Sequence, residues 1–184
     1  LLAINELWNL ELSGEKLKSL GAKLGADVPF CFDGGTVLAT GIGTELEALK
    51  VETDLDIVLV KPPFAVSTAE IYQELDLSQI KEHPDLKRMK KSLESGDKSR
   101  IISAIDNLLA KVTMGNYKEL KELEELILDA GARRVLMSGS GPTMLAFVMN
   151  ESAAEGLTIK LKEQLPSSYV IQRTRTTSRG VIIE

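Results

Sequence analysis

Val135-Leu136-Met137-Ser138-Gly139-Ser140-Gly141-Pro142-Thr143-Met144-Leu145-Ala146-Phe147-Val148 sets two apolar runs on either side of a glycine-rich turn. Each run is short and suits a pleated, buried surface, so Val135 to Met137 and Met144 to Val148 read as strands. A connection this tight joins antiparallel neighbours, because a parallel pair needs a crossover of a dozen residues or more. The two glycines let the backbone approach a ligand closely, and successive amides can make an anion-binding nest. A plain hairpin turn accounts for the same residues. The run is neither a Walker sequence nor G-x-G-x-x-G.

Outward from this hairpin, helical spacing alternates with strand-like runs. A helix is expected from Asn116, with Leu120, Leu123, Leu126, Ile127 and Ala130 as its buried stripe and Gly131 as its stop. Ser152 and Glu155 have capping-box spacing ahead of Leu157, Leu161 and Leu165. Tyr169 to Gln172 reads as a strand, and Val181 to Ile183 as another. Upstream, Ile57 to Val60 is a buried strand ended by Pro62-Pro63, since proline cannot donate to a ladder. Ser67 and Glu70 open a helix through Ile71 and Leu75. Pro84 suits a helix first turn, with Leu86, Met89 and Leu93 on one face, and a short helix follows through Ile101, Ile102 and Ile105. Near the start, Ser13 caps a helix carrying Leu17, Leu20 and Leu24, with Gly25 as its left-handed end. Ala26 to Phe32 reads as a loop, Thr36 to Thr40 as a strand, and Gly41-Ile42-Gly43 as a turn. Mixed strands and helices with a tight strand pair give an α+β class. The polar stretch from Lys50 to Asp56 is a candidate boundary, giving blocks 1–55 and 56–184.

Composition excludes several classes. The chain has 184 residues and a net charge of −5, so no dominant basic surface recruits nucleic acid. No apolar run approaches the length of a membrane span, and no signal peptide is visible. Cys31 is the single cysteine, so neither an internal disulfide nor a thiolate metal site can form; a reducing, cytoplasmic setting is expected. The single histidine, His83, sits in a charged stretch and reads as solvated. The chain opens at Leu1 without methionine, inside what reads as the tail of a helix (Leu1, Ile4, Leu7, Trp8), so a fragment of a longer protein is expected.

Four further stretches could carry chemistry. In Gly25-Ala26-Asp27-Val28-Pro29-Phe30, the Asp27 carboxylate could orient or deprotonate a substrate hydroxyl, as phosphoryl transfer requires; from these residues alone an Asx turn is the favoured explanation. In Lys61-Pro62-Pro63-Phe64-Ala65-Val66-Ser67-Thr68, a strand exits into a capped helix start, where anions are attracted; an ordinary connection would look the same. Arg173, Arg175 and Arg179 could meet phosphate or protect an edge strand. Asp106-Asn107 could cap a helix or touch a substrate.

In their order, these motifs are more specific than any one alone. Asn5 with Leu7-Trp8, Gly25 to Phe30, Gly34-Gly35-Thr36 with Ala39 to Gly43, Lys61-Pro62-Pro63, Val66 to Ala69, Tyr72, Met137 to Thr143 and Thr176 to Gly180 resemble the 4-diphosphocytidyl-2-C-methyl-D-erythritol kinase family of the GHMP kinase superfamily. The resemblance runs along nearly the whole chain. It implies a GHMP kinase fold: here, a remnant of the ribosomal-protein-like N-terminal domain in 1–55 and the ferredoxin-like C-terminal domain in 56–184. It implies ATP and Mg²⁺ as cofactors and phosphorylation of the 2-hydroxyl of 4-diphosphocytidyl-2-C-methyl-D-erythritol, in non-mevalonate isoprenoid precursor synthesis. Asp27 falls on the family's catalytic aspartate, Ser138, Gly139, Ser140 and Gly141 on its ligand-closing glycine loop, and Ser67 and Thr68 near its substrate side. No protein metal ligand is implied. The expected partner is the small-molecule substrate, without nucleic acid or membrane, and a homodimer is a candidate assembly.

The departures matter too. The family's catalytic lysine and its glycine- and serine-rich phosphate loop would precede Leu1, so this chain alone is expected to be inactive. Ala110 stands near where an acidic residue is expected. Two other readings remain open: a different GHMP small-molecule kinase, such as a mevalonate, phosphomevalonate or homoserine kinase, and a non-catalytic ferredoxin-like binding module.

Overall fold

The computed structural model describes residues 1–41, 43, 45–76 and 83–183. They form two compact units, Leu1–Glu52 with Thr177–Glu184, and Thr53–Thr176.

The first unit contains α1 (Leu2–Leu7), α2 (Gly14–Ala22), α3 (Val28–Asp33), β1 (Thr36–Thr40) and β2 (Glu45–Leu49). The Asn5 side chain closes the turn after α1: Leu12 N donates to Asn5 Oδ1 at 3.0 Å, and Asn5 Nδ2 donates to Leu12 O at 3.4 Å. Ser13 caps α2 as expected, its Oγ accepting from Lys16 N at 3.3 Å. The helix stops at Ala22, however, with Lys23 rather than Gly25 as its C-cap, and Leu24 is left exposed. Ala26 to Phe32 is not a loop. Pro29 fits the first turn of α3, where its missing N–H costs nothing, so the stretch from Val28 coils instead of running on extended. β1 and β2 pair antiparallel from Thr36–Leu49 to Thr40–Glu45. Gly41 and Gly43 both take positive φ between them, while Ile42 lies outside the described residues. β2 was not expected from the sequence, because three of its five residues are exposed and it lacks a clean apolar alternation. Val181 to Ile183 belongs to no strand; its backbone instead follows α3, with Val181 N donating to Cys31 O at 3.0 Å. A Cβ on Gly34 or Gly180 would overlap backbone there, which explains a glycine at each.

The second unit is built on a four-stranded antiparallel sheet. Its strands are β3 (Asp56–Lys61), β4 (Arg134–Met137), β5 (Met144–Val148) and β6 (Val170–Arg175), in the order β4-β5-β3-β6. Its helices are α4 (Thr68–Glu74), α5 (Leu86–Ser95), α6 (Lys98–Ala104), α7 (Leu108–Asn116), α8 (Lys118–Asp129) and α9 (Glu151–Gln164). The period-2 alternation of the strands sorts residues onto two faces. Val58, Val60, Val135, Met144, Ala146 and Val148 pack with Leu120, Leu123 and Ile127 of α8 and Leu157 and Leu161 of α9. Ile57, Leu59, Leu136, Leu145 and Phe147 pack with Met89 and Leu93 of α5 and Ile101 and Ile102 of α6. Both sheet faces are therefore covered, and β3 carries continuous apolar residues for that reason.

Three helix starts differ from the sequence reading. Asn116 ends α7, and α8 begins at Lys118 after Tyr117. Asn150, not Ser152, caps α9, its Oδ1 accepting from Ala153 N at 2.9 Å. Pro84 lies ahead of α5 and not in its first turn; Asp85 is the cap, its Oδ1 accepting from Arg88 N at 2.9 Å. In each case the nearest Asx or backbone geometry overrode a pattern match. His83 is exposed.

Asp56 joins the edge strand to a helix start. Its carboxylate is buried, with Lys98 Nζ at 3.1 Å and Arg175 Nη2 and Nε at 2.9 and 3.0 Å. Burial pushes this carboxyl up, but the hydrogen bonds and charges of Lys98 and Arg175 outweigh it and hold it below its ordinary value of 3.8. A lowered folded-state value means that the stabilisation is present above that ordinary value and is lost as pH falls through the folded one. Asp56→Asn is expected to lower the urea midpoint at pH 7, and the gap from the parent should narrow on acidification below 3.8; parallel midpoints at every pH would contradict this.

Candidate active site

The turn between β4 and β5 is pinned from several elements. Gly139 and Gly141 take φ of +55° and +89°, conformations that side chains disfavour. A Cβ on Gly141 would lie 2.6 Å from the buried Met137 Sδ, so an alanine here is strained in conformation and displaces the Met137 side chain. Ser138 N donates to Thr143 O at 2.8 Å, and Gly141 N donates to Ser138 O at 2.9 Å. These bonds leave the Gly139 and Ser140 amides without an acceptor among the described residues. Ser138 and Gly139 are exposed, whereas Ser140 is buried.

Side chains from α4 and α7 complete the arrangement. Thr68 Oγ1 and Ser140 Oγ are 2.7 Å apart, so the structure brings together two residues that the sequence singled out in separate motifs. Ser67 is spent differently: its Oγ accepts from Glu70 N at 3.4 Å and caps α4. Asn107 Nδ2 donates one proton to Met137 O at 2.7 Å and the other to Gly139 O at 2.8 Å. Its Oδ1 accepts from Leu109 N at 3.0 Å and caps α7. Thr113, fully buried in α7, shares its single hydroxyl proton between Ser140 O at 3.1 Å and Leu109 O at 3.2 Å. Sequence reasoning noticed Asn107 without assigning it to the glycine turn, and it missed Thr113. A threonine in a helix interior usually bonds back to the preceding turn, so nothing local marks its second partner.

Asp27 belongs to the first unit. It is exposed, stands at the N-cap position of α3, and makes no capping bond with its side chain, so the Asx-turn reading does not describe it. It lines a cavity of about 340 Å³ with Phe30, Thr36, Val37, Gly43 and Leu46. Among the described residues, no group of three or more His, Cys, Asp or Glu side chains could hold a metal ion. No helix among them is long and apolar enough to cross a membrane. Two of the three terminal arginines are already engaged: Arg175 with Asp56, and Arg173 with Glu155 at 3.9 Å.

A family profile described as "GHMP kinases C terminal" matches residues 74–167, just over half of the chain. The chain belongs to the GHMP kinases. This GHMP kinase chain is 37% identical over 92% of its length to a 4-diphosphocytidyl-2-C-methyl-D-erythritol kinase of Brevibacillus brevis, and 40% identical over 94% to one of Clostridium botulinum. It spans 58% and 61% of those two relatives. Its fold superposes on a crystal structure of 4-(cytidine 5'-diphospho)-2C-methyl-D-erythritol kinase with a TM-score of 0.75 at 24% identity, covering 96% of this chain and 62% of that one. The α+β class and the GHMP kinase fold expected from the sequence are thus the ones observed.

Gly141→Ala is expected to destabilise the second unit by about 1–3 kcal/mol, from strained φ and displacement of Met137. Chemical denaturation monitored on that unit checks this, and an unchanged midpoint would contradict it.

Proposed function

We propose that the complete protein is an ATP-dependent kinase that phosphorylates the 2-hydroxyl of 4-diphosphocytidyl-2-C-methyl-D-erythritol, a step in non-mevalonate isoprenoid precursor synthesis. The observation that carries this reading is the 37–40% identity, along more than nine-tenths of the chain, to relatives bearing that kinase's name. Residues 1–55 are then the end of the superfamily's N-terminal domain and 56–184 its C-terminal domain, with Thr177–Glu184 packed into the first unit.

The chain's own residues support roles in that reaction. Phosphoryl transfer asks a protein mainly for positioning and for groups that meet developing negative charge. The Gly139 and Ser140 amides, without an acceptor among the described residues, suit the second task, since adjacent N–H groups on a fixed turn can bind anionic oxygens. ATP supplies the phosphoryl group. Asp27, free of capping duty and beside a cavity, suits orienting the acceptor hydroxyl or accepting its proton. Thr68 is assigned to the substrate side through its contact with the glycine turn. Mg²⁺ belongs to the proposal through the family, and no step is assigned to it, because no cluster of protein ligands accompanies it among the described residues.

Asp27→Asn in the complete protein is expected to reduce turnover by about 10²-fold or more, with the unfolding midpoint nearly unchanged because the carboxylate is exposed. Turnover is read as ATP-dependent appearance of a singly phosphorylated product, with mevalonate and homoserine as competing acceptors. Unchanged turnover removes Asp27 from the mechanism. Preference for either competing acceptor overturns the substrate assignment.

A further inference from the structure

We propose that Asn107 and Thr113 of α7 are positioning residues that hold the 138–141 turn in its ligand-ready form. This rests on the kinase reading above for its consequence, though not for its geometry. The inference comes from where two polar side chains spend their hydrogen bonds. Asn107 uses every donor and its acceptor: both Nδ2 protons go to carbonyls on the turn or its entry, Met137 O and Gly139 O, and Oδ1 caps α7. The opposite amide orientation would set oxygen against two carbonyls, so the network itself selects this one. Thr113 is fully buried, and its hydroxyl reaches Ser140 O.

Between them they hold the carbonyls of Met137, Gly139 and Ser140. Fixing those carbonyls also fixes the peptide planes of the turn. The Ser140 N–H belongs to the same peptide unit as Gly139 O, so the bond from Asn107 directs that amide to the opposite side. One side chain thereby aims a donor that has no acceptor among the described residues, without touching whatever that donor binds. α7 becomes a rigid rail for the turn, with its N-cap and its interior both bonded to it. A capping role alone would need only Oδ1, and many side chains supply that.

Asn107→Ser separates the two duties. Serine caps a helix about as well as asparagine does, but it cannot span two carbonyls. Thr113→Val removes only the hydroxyl. Asn150→Ser serves as the control, since Asn150 caps α9 and donates to nothing on the turn. In the complete protein, Asn107→Ser and Thr113→Val are expected to lower kcat per folded molecule by between tenfold and about 10²-fold, the scale of a small misplacement at a reacting site, while Asn150→Ser changes it less than twofold. In ¹H–¹⁵N spectra without ligand, the Gly139 and Ser140 amide resonances should move in the first two variants and stay in the third. A uniform loss of stability with kcat and KM unchanged in the folded fraction would overturn the positioning role. Unmoved Gly139 and Ser140 resonances in Asn107→Ser would overturn the anchoring itself. An inactive parent protein would overturn the kinase reading and the catalytic consequence with it, whereas shifted resonances in that protein would still uphold the anchoring.

Discussion

Asp56–Lys61 is hydrogen-bonded along both edges and buried on both faces, and the second unit depends on that strand. Its ladders to β5 and β6 satisfy its backbone groups, which water could not reach. Its alternating side chains feed two separate cores, Val58 and Val60 on one side and Ile57 and Leu59 on the other. With both faces sealed, a register slip would exchange the two sets against helices shaped for the other, so the register is strongly specified. The pairing of β3 with β5 in turn sets where β5 meets β4, and hence where the glycine turn emerges.

The turn is stiffened by what surrounds it more than by its own bonds. Short internal bonds at Ser138 and Gly141 give it shape, and Asn107, Thr113 and Thr68 tie it to two helices. Preorganised donors lose little reorganisation energy when charge develops before them, which is why such a turn suits a phosphoryl-transfer site. The fold invests buried polar groups here, and buried polar groups persist only when their partners are supplied. Thr113 and Ser140, both buried, are supplied in this way.

β3, β4 and β5 were legible in the sequence because they are short apolar runs near glycine or proline, and the α8 and α9 stripes because helical spacing persists over several turns; β6 was read at Tyr169 to Gln172 but runs from Val170 to Arg175, its polar second half carrying no apolar signal. The motif order led to the GHMP kinase fold where periodicity alone stopped at α+β. What stayed hidden was local or long-range. β2 mixes glutamate with leucine and alanine, three of its five residues exposed, so burial leaves little trace in its pattern. α3 is short enough that a single proline in its first turn decides between helix and loop. The attachment of Thr177–Glu184 to the first unit, through a backbone bond from Val181 to Cys31, follows from no local signal. Asn107 and Met137 are thirty residues apart, so their contact was invisible in a chain read end to end. Two of the singled-out site residues, Thr68 and Ser140, meet directly, while Ser67 proved to be a cap.

The fold forms the glycine turn before any ligand arrives, through the bonds of Ser138, Gly141, Asn107 and Thr113. Amide hydrogen exchange at Ser138 and Gly141 in the ligand-free protein tests it most directly, because these two N–H groups make the turn's internal bonds. Both are expected to exchange orders of magnitude more slowly than in an unstructured peptide, with little further slowing on addition of ATP. Exchange at the free-peptide rate until nucleotide is added would contradict it.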